Sequence, residues 1–404
     1  MAEQGNKYNL TTFFFLYIAQ SIPMSFLSTV LPVMMRQENF SLSAIGLLQL
    51  IKLPWIIKFL WSPIVDKRCV TTRDYKLWII SSEIIYAVLI MAVAFLDFNT
   101  DFNTMIVLIL AAFIASATQD IATDAFAVLT FSRKNKSMLN SMQAMGSFGG
   151  SLVGGGLLLL LFQQIGWDYI LPGLSIFAII ALLPLLLNKK MEIQQQPVGN
   201  SPAKMVDILS FFTQTGIWRQ IGFLFLFYSG LMGTLAMMKP YLVDKGYNIG
   251  EIGIMNGIAG TLAGFLFSFA GGIIIKKVGR RIARILFAVV ILISSLFFVG
   301  LSQVEPTTML LYIGIALLWG GYGMATVIVY TTSMDHVRSG REGTDFTLQS
   351  VITHISSMIV VVVGGKVADI TGYEGLFLFQ TILAVASLLY VLIIFRNKAI
   401  KKIN

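Results

Sequence analysis

Charge is scarce in this sequence, and so are the side chains from which soluble enzymes build reaction centres. Asp, Glu, Lys and Arg make up 12% of 404 residues while 56% are hydrophobic; a soluble domain carries about 25% charged residues. Water cannot be the solvent for most of such a surface. The single cysteine, Cys69, excludes a disulfide framework and a multi-cysteine metal site. The two histidines, His336 and His354, stand in no HExxH pattern, and no GxSxG nucleophile turn occurs. Gly364-Gly365-Lys366 is the nearest likeness to a phosphate loop, but it lacks the spacing and the following Ser or Thr. No catalytic constellation remains. Neither an enzyme, a cofactor nor a bound metal is expected, and uphill movement of a solute would draw on an ion gradient rather than ATP.

What the chain has in abundance is apolar windows bounded by charges or turn residues. Twelve are read, at 9–33, 42–65, 77–96, 104–130, 138–162, 168–188, 220–243, 249–275, 285–303, 307–333, 344–368 and 373–395. Each is long enough, at 1.5 Å per residue, to approach or exceed the ~30 Å of a hydrocarbon core. The first is followed by many others and reads as a retained helix rather than a signal peptide. The longest polar stretch, Asn188 to Arg219, contains QQQPVGNSP and reads as a surface linker. The expected fold is an all-α integral membrane protein of twelve transmembrane helices. Residues 1–188 form one six-helix bundle, 189–219 the linker and 220–404 a second bundle.

The basic residues fall on one side. Every second loop is rich in them, as in Lys67, Arg68, Arg73 and Lys76, or Lys276, Lys277, Arg280, Arg281 and Arg284; the alternate loops hold only Arg36 and Lys245. The positive-inside rule places both termini in the cytoplasm of a multi-pass inner-membrane protein. It also accounts for the net charge of +9, which in a soluble chain would suggest nucleic acid; here membrane lipids are the expected neighbours and nucleic acid is not.

The two halves echo each other. SLSAIGLL (41–48) and NIGEIGIM (248–255) open the second span of each half, 207 positions apart, and each span leads into a basic turn, DKR or KKVGRR. Such a half-length repeat is a parallel duplication. Gly146, Gly150 and Gly154 in the fifth span, and Gly253, Gly257, Gly260 and Gly264 in the eighth, mark close helix contacts. They serve either packing within a half or sliding between halves.

Charges inside spans carry the functional reading, because each costs several kcal/mol if it faces lipid. Lys52 and Lys58 interrupt the second span, so it faces protein or a watery cavity. Asp120 and Asp124, four apart on the fourth span, lie on one face at a depth like that of Lys58. Lys58 is expected to pair with one of them, as a static ion pair or as a proton-coupling one. His354, near the middle of the eleventh span, is either a packing residue or a proton carrier. Lys52 and Lys239 would give one end of the cavity a positive field for an anionic solute, with headgroup snorkelling as the other role for Lys239. Trp319 and Tyr322 are candidates for stacking on a solute. The expected partners are a small-molecule solute, protons and lipids, around a monomer.

FLWSPIVDKR (59–68) and ATQDIATDAF (117–126) resemble the AmpG-type permeases of the major facilitator superfamily, which have a similar Lys-aromatic-Leu-Trp-Ser-Pro…Asp-Arg run and an SQDI…DA pattern. That family is associated with muropeptide uptake, with acetyl-CoA carriers and siderophore permeases among its relatives. KLPWIIKFLW and GTDFTLQ (343–349) look most like the siderophore branch, the RhtX/FptX type. The expected activity is import of a medium-sized solute with protons; the resemblance puts a ferric siderophore first as the solute, with a muropeptide as the alternative. It places Lys58, Asp66, Asp120, Asp124, Asp345 and Gln349 at family-pattern positions, Gln349 as a solute-binding candidate. Asp66-Lys67-Arg68 is similar to the superfamily's gating loop, with Arg280 in the second-half counterpart. Cys69-Val70 stand where that loop has glycine, whereas KKVGRR keeps Gly279.

Overall fold

The computed structural model describes residues 2–41, 48–194 and 202–396. The start of the second span (42–47), most of the QQQPVGNSP linker and the terminal Lys398, Lys401 and Lys402 lie outside the described residues. Helix is the dominant element and no strand occurs among the described residues. Among these residues nine helices are long and apolar enough to cross a membrane. Two of them, Gly250–Ser302 and Glu342–Ile394, are double length. Each is interrupted by a glycine at positive φ, Gly279 (φ 79°) and Gly372 (φ 72°), a backbone state that an L side chain resists. Counted as two each, and with the broken stretch from Leu48 to Arg68, they trace the twelve crossings read from hydropathy.

The helices used below are α1 (Ala2–Gln37), α2 (Ser62–Arg68), α3 (Thr72–Ala94), α4 (Phe102–Thr130), α5 (Lys136–Leu152), α6 (Trp167–Ile180), α7 (Ile217–Leu226), α8 (Ser229–Asp244), α9 (Thr261–Ser302), α10 (Thr308–Met334) and α11 (Glu342–Ile394). The expectation of one continuous helix through the second span is corrected. A 3-10 turn at Leu48–Lys52, a short helix at Leu53–Ile57 and a 3-10 turn at Lys58–Leu60 precede α2. Pro54 and Pro63 sit in the first turns of the two short helices, where a missing N–H is tolerated but the preceding helix cannot run through. The basic turn after α2 manages without glycine: Cys69 is extended, with φ −99°. Helix α3 then starts on a capping box, Thr71 Oγ1 accepting from Asp74 N while Asp74 accepts from Thr71 N.

The chain divides into two compact units, Met1–Gln214 with Ser333–Val351, and Thr215–Thr332 with Ile352–Asn404. In the first, α1 and α5 lie backbone to backbone. A Cβ on Gly146, Gly150 or Gly154 would stand 2.7 Å from Tyr17 Cβ, 2.3 Å from Ser21 Cβ or 2.2 Å from the Ile22 carbonyl oxygen. The fifth-span glycines therefore serve packing inside this unit. Aromatic rings fill the end near the basic loops, with Phe13 and Tyr75 both against Phe126; the other end is aliphatic and aromatic, around Phe26, Val30, Ile90, Phe113 and Leu171.

In the second unit the Ser295 hydroxyl donates to Gly230 O of α8. The buried Arg284 guanidinium of α9 lies 4.9 Å from the Phe223 ring and 3.9 Å from the Phe395 ring, a cation–π arrangement suited to a cation in an apolar place. Asn248 and Glu251 form a reciprocal cap at the start of the eighth span.

The close packing of α1 on α5 makes a test. Gly150→Ala forces backbone to move and is expected to cost about 1–3 kcal/mol, lowering the melting midpoint of the detergent-solubilised protein by several degrees. Gly156, where an added methyl would meet nothing within 4 Å, is the control, and Gly156→Ala is expected to leave the midpoint unchanged or slightly raised. Equal midpoints for the two variants would rule out the contact.

Candidate functional site

The first unit holds a polar cluster inside its apolar helices. Lys58 stands on the 3-10 turn between the two short helices of the broken span, which turns its side chain toward α4. Its Nζ makes an ion pair with Asp120 Oδ2, the two residues being 3% and 4% exposed. The Trp55 ring lies 4.8 Å from the same ammonium. The other Asp120 oxygen accepts from Gln20 Nε2 of α1 at 2.8 Å. One turn along α4, Asp124 Oδ1 accepts from Tyr17 OH at 2.8 Å and from Gln143 Nε2 of α5 at 3.0 Å. Of the two aspartates on the helix face, Asp120 takes the lysine and Asp124 takes neutral donors. Four elements thus meet at one set of carboxylates in a low-dielectric setting, where such bonds are strong and unpaired groups costly.

A second cluster lies at the end carrying the basic loops. Asp66, near the end of α2, accepts from Gly343 N at 2.8 Å, Thr344 N at 2.7 Å and Thr344 Oγ1 at 2.6 Å. These are first-turn donors of α11, which have no partner within their own helix; Asp66 caps that turn from a distant part of the chain and places negative charge at its N-terminus. A Cβ at position 343 would stand 2.8 Å from Asp66 Oδ1, so glycine there admits the carboxylate.

Alongside it, Arg338 Nε and Nη2 hold the two Asp345 oxygens at 2.8 and 2.6 Å, a forked pairing. Arg338 also donates to Ser210 Oγ and Asp207 O, and Arg341 Nε donates to Asp207 Oδ2 at 2.6 Å. Burial would raise the Asp207 carboxyl, but the Lys204 N–H and the Arg341 guanidinium outweigh it and hold it below its usual range. Lys136 Nζ donates to Met334 O at 2.8 Å.

The remaining candidates are scattered. Gln349 is fully buried, and its amide nitrogen is committed to the carbonyls of Ser333, His336 and Asp345, which makes it a brace for the α10–α11 turn. Lys52 is half-buried and Lys239 exposed beside Pro240 in α8. Arg68 is exposed, Arg280 half-buried and His354 exposed on α11. In the second unit Trp319 donates to Asn256 Oδ1 at 3.0 Å and its ring meets that of Tyr322, which in turn meets Tyr228. Tyr17, Gln20 and Gln143 were not singled out from the sequence, and Gly343 and Thr344 stood there only as the first residues of GTDFTLQ. The neutral ones carry no charge to betray them, and the clasp joins residues 277 and 278 positions apart.

A broken helix, intramembrane ion pair and capped helix on a twelve-span chain describe a class of solute carrier, and sequence comparison identifies it. The family model of the Major Facilitator Superfamily matches residues 13–359. The chain belongs to this superfamily. It is a multi-pass membrane protein and a secondary transporter of small-molecule solutes, not an enzyme. Among similar chains, the anhydromuropeptide permease of Escherichia coli K12 is 25% identical over 395 residues, covering 96% of this chain and 79% of its own. An uncharacterized Haemophilus influenzae protein is 26% identical over 384 residues, covering 91% and 90%. Two solved superfamily folds superpose over nearly full length at 14% identity. FucP in an outward conformation gives a TM-score of 0.72 over 98% of this chain and 100% of its own, and the human organic anion transporter MFSD10 gives 0.71 over 96% and 99%.

The ion pair is testable within this superfamily chain. Lys58→Met strands a buried carboxylate and is expected to cost about 3–5 kcal/mol. Adding Asp120→Asn removes the stranded charge and is expected to restore most of that loss, whereas adding Asp124→Asn is not. Thermal melting of the three variants in detergent reads the cycle; additive losses in the Asp120 double variant would mean that the two groups do not interact.

Proposed function

We propose that this transporter imports an anhydromuropeptide-type solute, a sugar–peptide fragment of cell wall, together with protons across the inner membrane. The observation that carries the substrate is the similarity to the E. coli anhydromuropeptide permease along nearly the whole chain. It favours the muropeptide reading over the ferric siderophore that the motifs put first. The basic loops support an orientation with both termini in the cytoplasm.

Proton coupling is the role of the Lys58–Asp120 pair and its neighbour Asp124. Protonation of a carboxylate frees the lysine, and its return to the pair releases the proton. Asp66 is the gate. Its bonds to the first turn of α11 hold one state, and exchanging them for water permits the other. Lys52, Lys239, Trp319 and Tyr322 are the proposed solute contacts, with Arg68 and Arg280 on the two gating turns. His354 remains a second candidate for proton transfer.

Uptake into proteoliposomes tests the reading. A labelled anhydromuropeptide should accumulate when the outside is made acidic and only equilibrate without a gradient. Uptake of a ferric siderophore but not of the muropeptide would overturn the substrate, and uptake indifferent to the gradient would overturn the coupling. In the same vesicles Gly343→Ala, which crowds Asp66, is expected to lower turnover about tenfold, equivalent to about 1.4 kcal/mol, with solute binding retained.

A further inference from the structure

Helix α3 carries a carboxyl group that the clusters above do not use. Glu83 lies on the buried stripe Tyr75, Ile79, Ser82, Glu83, Tyr86 near the middle of the helix. It is 0% exposed, and neither carboxyl oxygen has a hydrogen-bond partner. Among the described residues no cation is paired with it; Lys58 is taken by Asp120.

The facing helix supplies complementary groups. Tyr75 of α3 stacks on Phe126 of α4, ring centroids 5.7 Å apart. The two helices are joined by a short loop and run in opposite directions, each rising 1.5 Å per residue. Eight residues beyond Tyr75, Glu83 is therefore level with Thr118 and Gln119. Gln119 stands two turns from Phe126 on the same face of α4. It is fully buried, and both atoms of its amide lack partners. Thr123, a turn to one side, is fully buried with an unpartnered hydroxyl, and Ser116, a turn to the other, is fully buried with its hydroxyl beside the Tyr86 OH. A carboxyl without donors, and an amide and a hydroxyl without acceptors, thus occupy one level of two packed helices.

The titratable groups around this level are accounted for. On α3 they are Tyr75 and Tyr86, the latter donating to Gln20 O at 3.5 Å and lying beside the Ser116 hydroxyl. On α4, Asp120 is bound to Lys58 and Gln20, and Asp124 to Tyr17 of α1 and Gln143 of α5. Helix α6 brings the hydroxyl of Ser175, which donates to Ala87 O. An ionised Glu83 here would be an uncompensated charge in an apolar interior, the costly form.

We propose that Glu83 is a proton-binding site of this transporter, neutral in the state described and ionised in another state of the cycle, when Gln119, Ser116 and Thr123 turn to donate to it. The O–H bond breaks, its electron pair stays on the carboxylate, and the proton leaves on water. The proposal deepens the proton-coupled reading and rests on it for the role in transport.

Infrared difference spectroscopy on the full-length protein in lipid tests it without any solute. At neutral pH the spectrum should contain the carbonyl band of a buried neutral carboxylic acid, shifted in D2O, absent in Glu83→Gln and retained in Asp120→Asn. A band unchanged in Glu83→Gln overturns the proposal. The same variant, reconstituted, should show a ratio of pH-driven accumulation to solute exchange at least tenfold lower than the parent, with anhydromuropeptide as probe and Glu83→Asp recovering part of it. An unchanged ratio overturns the coupling role. Because the band is read without solute, an error in the substrate assignment leaves the protonation result standing or falling on its own.

Discussion

An ion inside hydrocarbon must be answered by another group, and the first unit is built around that demand. Lys58 and Asp120 answer each other, but the pairing needs a helix that stops and turns at Lys58, which Pro54 and Pro63 provide. It also needs α1 close enough for Gln20 to reach the second oxygen of Asp120. That proximity is consistent with the glycine stripe of α5, since Gly146 and Gly150 let Tyr17 and Ser21 of α1 lie against its backbone. Gln143, one turn before Gly146, then shares Asp124 with Tyr17. Packing of small residues and placement of polar ones are one arrangement here.

The two charge clusters differ in what it takes to undo them. Separating Lys58 from Asp120 leaves two ions in an apolar interior unless a proton moves first, which is why the proposed coupling falls on that pair. Releasing Asp66 from α11 exposes backbone N–H groups and a carboxylate that water could satisfy at the loop end of the helices. A contact that water can replace suits a conformational switch; one that water cannot replace suits a coupled charge. The forked Arg338–Asp345 pair and the Arg341–Asp207 pair sit beside the Asp66 contact and tie its turn to the later part of the linker.

Much of this was legible in the sequence because hydrocarbon makes the rules strict. The spans followed from hydropathy, and Lys58, Asp120 and Asp124 followed from the cost of charge. The break in the second span was half-legible: its prolines are plain, but helices often bend at proline without stopping. Which aspartate takes the lysine depends on side-chain direction, and spacing alone could not decide it. Tyr17, Gln20 and Gln143 left no signal, because neutral polar residues are common in spans that pack on one another. Glycine at 343 could be seen in GTDFTLQ, but its reason is a carboxylate from Asp66, far away along the chain.

Glu83 is the instructive omission. It stands alone in ISSEIIY, and the rule that drew attention to Lys58 applies to it with equal force. A charge is noticed most readily when a partner or motif accompanies it, and Glu83 has neither. Yet a partnerless ionisable group is the one whose charge state has most to gain by changing. Lys58 and Asp120 neutralise each other as ions; Glu83 is relieved of its charge by holding a proton, and its relief ends whenever α3 and α4 admit water or turn their idle donors toward it. The two arrangements are therefore complementary: one stores opposite charges side by side, the other keeps a single charge covered, and a cycle that disturbs the packing of α4 acts on both.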